Sequence, residues 1–154
     1  MTNETQRSAI TRTRAGAIAA FLDGAGVPFE LIEHEEVMSA AAEARVVHEP
    51  SEQVAKTVVP HDRSAYVIAA IPAADRLDLH KLRVLPGASR KLRLASEAEI
   101  ARDFPSLDVG AAPPFGRTVP TAQAIDKTLL EQEQIVCPAG DHRHSVGLDS
   151  REVL

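Results

Sequence analysis

From Thr11 to Ala25 the apolar residues Ala15, Ile18, Ala19 and Leu22 return at helical spacing, which predicts a first amphipathic helix. Gly24 and Gly26 supply its stop ahead of Pro28. The period then changes. Phe29-Glu30-Leu31-Ile32-Glu33 reads as a strand, and Ser39 to Val47 as an alanine-rich second helix closed off by Pro50. Two β-branched runs follow, Val54 to Val59 and Tyr66 to Ile71, bounded by Pro60 and Pro72. The polar His61-Asp62-Arg63-Ser64 between them suits a hairpin turn, so the two runs should pair in one sheet.

Asp78 is placed to cap a short helix through Leu85, and Ser96-Glu97-Ala98-Glu99 has capping-box spacing for another helix ending near Phe104. Between them Arg90 to Leu94 alternates as a strand, with Leu92 and Leu94 expected inward and Lys91 and Arg93 outward. Phe104 to Pro120 is dense in proline and glycine, which predicts a shaped loop. A strand around Ala122 to Ile125, a helical turn from Lys127 and a hairpin of Ile135 to Pro138 with Ser145 to Leu148 complete the pattern. No repeat or long linker divides the chain, so residues 9–154 read as one domain behind a disordered tail at residues 1–8. The central strands lie too close in sequence for crossover helices; an α+β fold with a mixed, mostly antiparallel sheet and flanking helices is expected.

Composition narrows the function. At 154 residues, 44% hydrophobic and 25% charged, the chain has room for one continuous core. No apolar run approaches the roughly 20 residues that span a bilayer, and the polar start lacks a signal-peptide pattern, so a cytoplasmic protein without membrane attachment is expected. The single cysteine, Cys137, excludes an internal disulfide and reads as a small buried hydrophobe. A net charge of -5 argues against gripping nucleic acid over the whole surface. Yet Lys81, Arg83, Arg90, Lys91 and Arg93 fall between His80 and Ser96 without an acidic residue among them. Such a cluster is either a solvated face or a landing surface for a phosphate-bearing partner.

Three constellations could carry chemistry. Lys56 stands inside Val54-Ala55-Lys56-Thr57-Val58-Val59, where alternation puts it on the face opposite Ala55, Thr57 and Val59. An ammonium in so apolar a run either snorkels at a sheet edge or serves a pocket. In Gly110-Ala111-Ala112-Pro113-Pro114-Phe115-Gly116 the glycines allow close approach of backbone to ligand, and the prolines fix the loop's course. Gly140-Asp141-His142-Arg143-His144 lies at the turn of the last hairpin. His142 and His144 could share a face, but with no HExxH, no paired CxxC and no close third ligand, neither a metal nor another cofactor is expected. His34, His48, His61 and His80 are scattered singly and read as surface or satisfied core residues. The chain has no GxSxG, Walker loop or GxGxxG.

Taken in order, the Lys56 segment, Leu77-Asp78-Leu79-His80-Lys81-Leu82, Lys91-Leu92-Arg93-Leu94-Ala95-Ser96, the Gly110 to Gly116 segment and Ala139-Gly140-Asp141-His142 resemble the YbaK/prolyl-tRNA synthetase-associated editing family, from about Val27 to Leu148. The resemblance implies a mixed α+β domain with a barrel-like sheet that hydrolyses the ester joining a wrong amino acid to the terminal adenosine of tRNA. It implies aminoacyl-tRNA as partner, with prolyl-tRNA synthetase as a further one. Since no synthetase sequence surrounds the domain, the stand-alone form is expected. The family's lysine matches Lys56, making it the expected catalytic residue, and the family's GxxxP loop matches Gly110, Ala111, Ala112, Pro113 and Pro114, whose backbone would contact the aminoacyl end. Thr57, Asp141 and His142 complete the implied substrate site, and Lys81, Arg83, Arg90, Lys91 and Arg93 become candidate tRNA contacts. In alanine-clearing branches an asparagine often follows the lysine, whereas the cysteine-clearing branch can have Lys-Thr, as here. A non-catalytic module holding an aminoacyl end or an amino acid is the rival reading, and a hydrolase using a metal at His142 and His144 a third.

Overall fold

The computed structural model describes residues 14–62, 65–85, 88–104 and 121–153. The proposed tail at residues 1–8 and the whole Gly110 to Gly116 segment lie outside the described residues. Helix α1 (Arg14–Gly24) buries Ala15, Ile18 and Leu22, the helical stripe seen in the sequence. It ends in a Schellman pair, with Gly26 N–H donating to the Asp23 carbonyl and Val27 N–H to the Leu22 carbonyl. Gly26 adopts φ 71°, so the glycine is required there.

Two sheets stand on this core. In the first, β1 (Phe29–Glu33), β8 (His144–Asp149) and β7 (Gln134–Pro138) run antiparallel in the order β1-β8-β7, registered by Phe29↔Leu148 and Cys137↔Val146. The second is built on β4 (Ala65–Pro72). Strands β2 (Ala55–Val58) and β3 (Pro60–Asp62) succeed one another along one edge of β4, and β5 (Arg93–Leu94) pairs with β3. Strand β6 (Thr121–Ile125) runs parallel to β4, so the sheet is mixed. Leu22, Leu129, Ile135, Val146 and Leu148 pack with Ala55 and Ala70 into one cluster that joins α1 to both sheets.

Side chains cap the helices that follow, at Asp78 and Ser96 as the sequence predicts. Ser39 caps α2 (Ala40–Val46), Asp78 caps α3 (Leu79–Arg83), and Ser96 with Glu99 closes the capping box of α4 (Glu97–Asp103). Asp126 caps the turn α5 (Lys127–Leu130).

Three expectations need correction. His61 and Asp62 are strand residues, paired with Tyr66 and Ala65, so the reversal lies between Asp62 and Ala65 and not across the whole polar tetrad. The strand expected over Arg90 to Leu94 shrinks to its last two residues, because the Ser89 hydroxyl accepts from Lys91 N–H while donating to the Asp62 carboxylate, turning the chain. Leu92 is buried at 3% exposure, but Leu94 is 52% exposed. Finally, the sheet does not close into a barrel. Among the described residues the two sheets touch as strands only through the isolated parallel bridge Val54↔Val136, because the helical turn Ser51–Gln53 keeps the preceding chain out of strand geometry.

Candidate functional site

That single bridge matters for the site, since it sets β2 beside β7 and therefore beside the turn that follows β7. A cavity of about 350 Å³ opens there. Its floor comes from β2, through Lys56, Thr57 and Val58; the β7–β8 turn contributes Pro138, Asp141 and His142. The β1–α2 connection adds His34, Val37 and Met38, α2 adds Glu43, and Leu94 and Ile100 close the remaining side. The exposure of Leu94 is thereby explained, because it lines the cavity instead of the core.

Four residues expected at a site, Lys56, Thr57, Asp141 and His142, thus share one cavity. Lys56 is half-buried, and its Nζ donates to the backbone carbonyl of Asp75, a neutral acceptor that orients the ammonium without cancelling its charge. Asp141 has a structural task. Its Oδ1 accepts from the Arg143 and His144 backbone N–H groups at 2.8 Å each, and its Oδ2 lies 2.9 Å from His144 Nδ1. The turn is docked onto the β1–α2 connection, where His34 N–H donates to the Arg143 carbonyl and Val37 N–H to that of His142. His144 is therefore turned to Asp141 while His142 faces the cavity, so the pair presents no common face. Among the described residues no group of three His, Cys, Asp or Glu side chains is disposed to hold a metal ion.

Sequence reasoning missed the cavity's most unusual group. Glu43 is only 5% exposed, and its Oε2 accepts from Ser145 Oγ at 2.5 Å. Ser145 Oγ lies 2.9 Å from His34 Nε2, and His34 Nδ1 lies 2.7 Å from the Glu35 carbonyl. Burial pushes the Glu43 carboxyl up from 4.5 to about 7, with the Ser145 hydroxyl pulling the other way. Its second oxygen, Oε1, is buried without a hydrogen-bond partner among the described residues, as is Thr57 Oγ1. One signal was available. Ala40, Glu43, Ala44 and Val47 form an i, i+3, i+4, i+7 stripe, so an acid sits on the helix's apolar face. His34 and Ser145 carried no comparable local mark.

The basic residues divide. Arg93 makes a two-point contact with Glu99, at 2.8 and 3.1 Å, and this partner holds the Glu99 carboxyl down at about 2. Arg83 Nε donates to the Leu92 carbonyl at 2.8 Å. Lys81, Arg90 and Lys91 are exposed, and Arg93 is the chain neighbour of the cavity-lining Leu94.

The family model described as the aminoacyl-tRNA editing domain matches residues 34–154. Three solved structures superpose closely. A candidate trans-editing enzyme for prolyl-tRNA synthetase has TM-score 0.81 at 23% identity, covering 92% of this chain and 89% of its own. The hypothetical protein APE2540 has TM-score 0.81 at 19% identity, covering 89% and 91%. A scaffold used in computational grafting of linear epitopes has TM-score 0.80 at 21% identity, covering 92% and 89%. At these identities the likeness establishes the fold alone. The curated proteins contain no match.

Proposed function

The chain belongs to the aminoacyl-tRNA editing domain family, and from that premise we propose that it is a deacylase, hydrolysing the ester between a wrongly attached amino acid and the terminal adenosine of tRNA. The observation that carries the reading is the convergence of Lys56 and Thr57 with the Asp141-His142 turn on one cavity. An aminoacyl ester is already activated, so a site that orients it and stabilises the developing oxyanion lets water attack without a protein nucleophile. The described residues fit that economy. Cys137 is fully buried and its thiol is pushed up by burial, while the Ser145 hydroxyl is buried and committed to Glu43. Lys56 then polarises and positions the ester carbonyl. The backbone of Gly110, Ala111, Ala112, Pro113 and Pro114 is assigned to the aminoacyl end, with no metal or other cofactor in the reaction.

A cavity of about 350 Å³ walled by Val37, Met38, Val58 and Leu94 suits a small amino acid. A synthetase separates amino acids that differ by a methylene by only about 1 to 3 kcal/mol, so small residues such as alanine or cysteine are the errors a proline site leaves behind. The proposed substrate is tRNA-Pro carrying one of these, with prolyl-tRNA synthetase as the enzyme being corrected, in the cytoplasm. No helix of the described residues is long and apolar enough to cross a membrane. A deacylation panel of tRNA-Pro charged with alanine, cysteine, serine or proline tests the reading. Hydrolysis of a small non-cognate ester with proline spared is expected; binding without turnover would make the protein a holding module instead.

The charge pattern adds a second expected outcome. With Arg93 committed to Glu99, phosphate contacts are assigned chiefly to the exposed Arg90 and Lys91. Arg90→Ala with Lys91→Ala should weaken tRNA binding and make the plot of log affinity against log salt shallower by about 1.4 to 1.8, at 0.7 to 0.9 per phosphate. Arg93→Ala should change the slope less. An unchanged slope in the double variant would remove the patch from the interface.

A further inference from the structure

The cavity offers two carboxyl groups, and they are not equivalent. Both oxygens of Asp141 are occupied by the turn they hold. Glu43 spends one oxygen on Ser145 and leaves the other buried and unpartnered, in a residue that lines the cavity. A buried carboxyl oxygen without a partner is costly, more so when the group is charged, so such a group calls for a donor from outside the protein. Thr57, which also lines the cavity, likewise has a buried oxygen, Oγ1, without a partner among the described residues.

Proton bookkeeping around Glu43 shows which donor fits. His34 Nδ1 faces a carbonyl oxygen and must therefore donate, which in a neutral imidazole leaves Nε2 as an acceptor. Ser145 has one proton for two neighbours, His34 Nε2 and Glu43 Oε2. Both contacts are hydrogen bonds only if the chain of three groups holds one further proton, on Glu43 or on His34. Glu43 can thus become a carboxylate, with the proton kept two groups away on the imidazole, when a cation reaches its free oxygen. Lys56 is not that cation, since its Nζ is turned to the Asp75 carbonyl.

We propose that the free oxygen of Glu43 anchors the α-ammonium group of the aminoacyl ester, making the site selective for substrates with a free, charged amino group. The assignment rests on the deacylase reading for the identity of the ligand: every aminoacyl ester carries this ammonium, whatever its side chain. Ser145 and His34 are positioning residues, which hold the carboxyl and its proton. Because the ammonium is common to all amino acids, Glu43 fixes orientation and leaves discrimination among side chains to the apolar walls.

The test compares an amine with a neutral group of the same size. 3′-Deoxy-3′-(L-alanylamino)adenosine, which cannot be hydrolysed as an ester, and its L-lactyl counterpart are titrated into the full chain and into Glu43→Gln. In parallel, alanyl-tRNA-Pro and lactyl-tRNA-Pro are offered as substrates. The wild type should prefer the amine by about tenfold to hundredfold, the span of a hydrogen bond to a charged group. In Glu43→Gln the preference should fall close to one, chiefly through weaker binding of the alanyl probe. A wild-type protein that does not distinguish the probes, or binds neither, overturns the assignment whatever the variant does. Glu43-dependent amine preference without hydrolysis of either ester would leave the assignment standing and sink the deacylase reading. Hydrolysis with the preference intact in Glu43→Gln would do the reverse.

Discussion

Replacing Lys56 by alanine is expected to lower single-turnover deacylation by about two orders of magnitude, the loss typical of removing one oxyanion donor, at about 3 kcal/mol. The expectation follows from how the ammonium is held. Its strand is registered on β4 through Lys56↔Ile71, so the backbone beneath it is fixed by ladder hydrogen bonds. Its Nζ is steered by the Asp75 carbonyl, a dipole and not an anion, which leaves the full positive charge to a developing oxyanion. A lysine paired with a carboxylate would have less to offer. The side chain is only half-buried, so its removal leaves no core cavity, and thermal melting should move by little. A stable Lys56→Ala protein that hydrolyses the ester at the wild-type rate would strip Lys56 of its catalytic role. Lys56→Arg should recover only part of the rate, because a planar fork presents its charge differently from a compact ammonium.

Several local patterns in the sequence were faithful. The α1 stripe, the β1 strand and the caps at Asp78 and Ser96 each depend on contacts within about one helical turn or on simple alternation, and each formed where the residues placed it. Leu94 failed for a stated reason: the Ser89 turn shortens its strand, and the side chain expected in the core lines the cavity. The parallel pairing of β6 with β4 was equally illegible, since alternation marks a strand without naming its neighbour.

The site divides along the same line. Lys56 and the Asp141-His142 turn stood out as residue types in unusual company, and the ordered resemblance tied them together before any contact was known. The Glu43, Ser145 and His34 chain did not stand out, because its members lie 102 and 111 positions apart in sequence and meet only after β1 pairs with β8. No periodicity encodes that meeting. Of the three, only Glu43 left a trace, as an acid on an apolar helix face.

That trace has a thermodynamic counterpart, and Glu43→Gln should expose it as a pH-dependent gain in stability. The folded-state value of about 7 lies above the ordinary 4.5, so the contribution of this group is fully present below about pH 4.5 and is lost as the pH rises through 7. At 1.36 kcal/mol per unit, a rise from 4.5 to about 7 amounts to about 3 kcal/mol of stability missing by pH 8. Glutamine keeps an oxygen for the Ser145 hydroxyl but has no charge to bury, so it escapes that loss. Urea melts at pH 5 should find the two proteins closely matched, and melts at pH 8 should find the variant more stable by a few kcal/mol. The Cys137 thiol, raised by burial and by Glu43 itself, stays neutral throughout. A difference between wild type and variant that does not change from pH 5 to pH 8 would mean that Glu43 ionises as freely in the fold as in water. A buried acid that weakens its own fold near neutral pH is what a binding group looks like before its ligand arrives: with an ammonium against Oε1 the same charge becomes an asset, and the ligand should stabilise the wild type more at pH 8 than at pH 5.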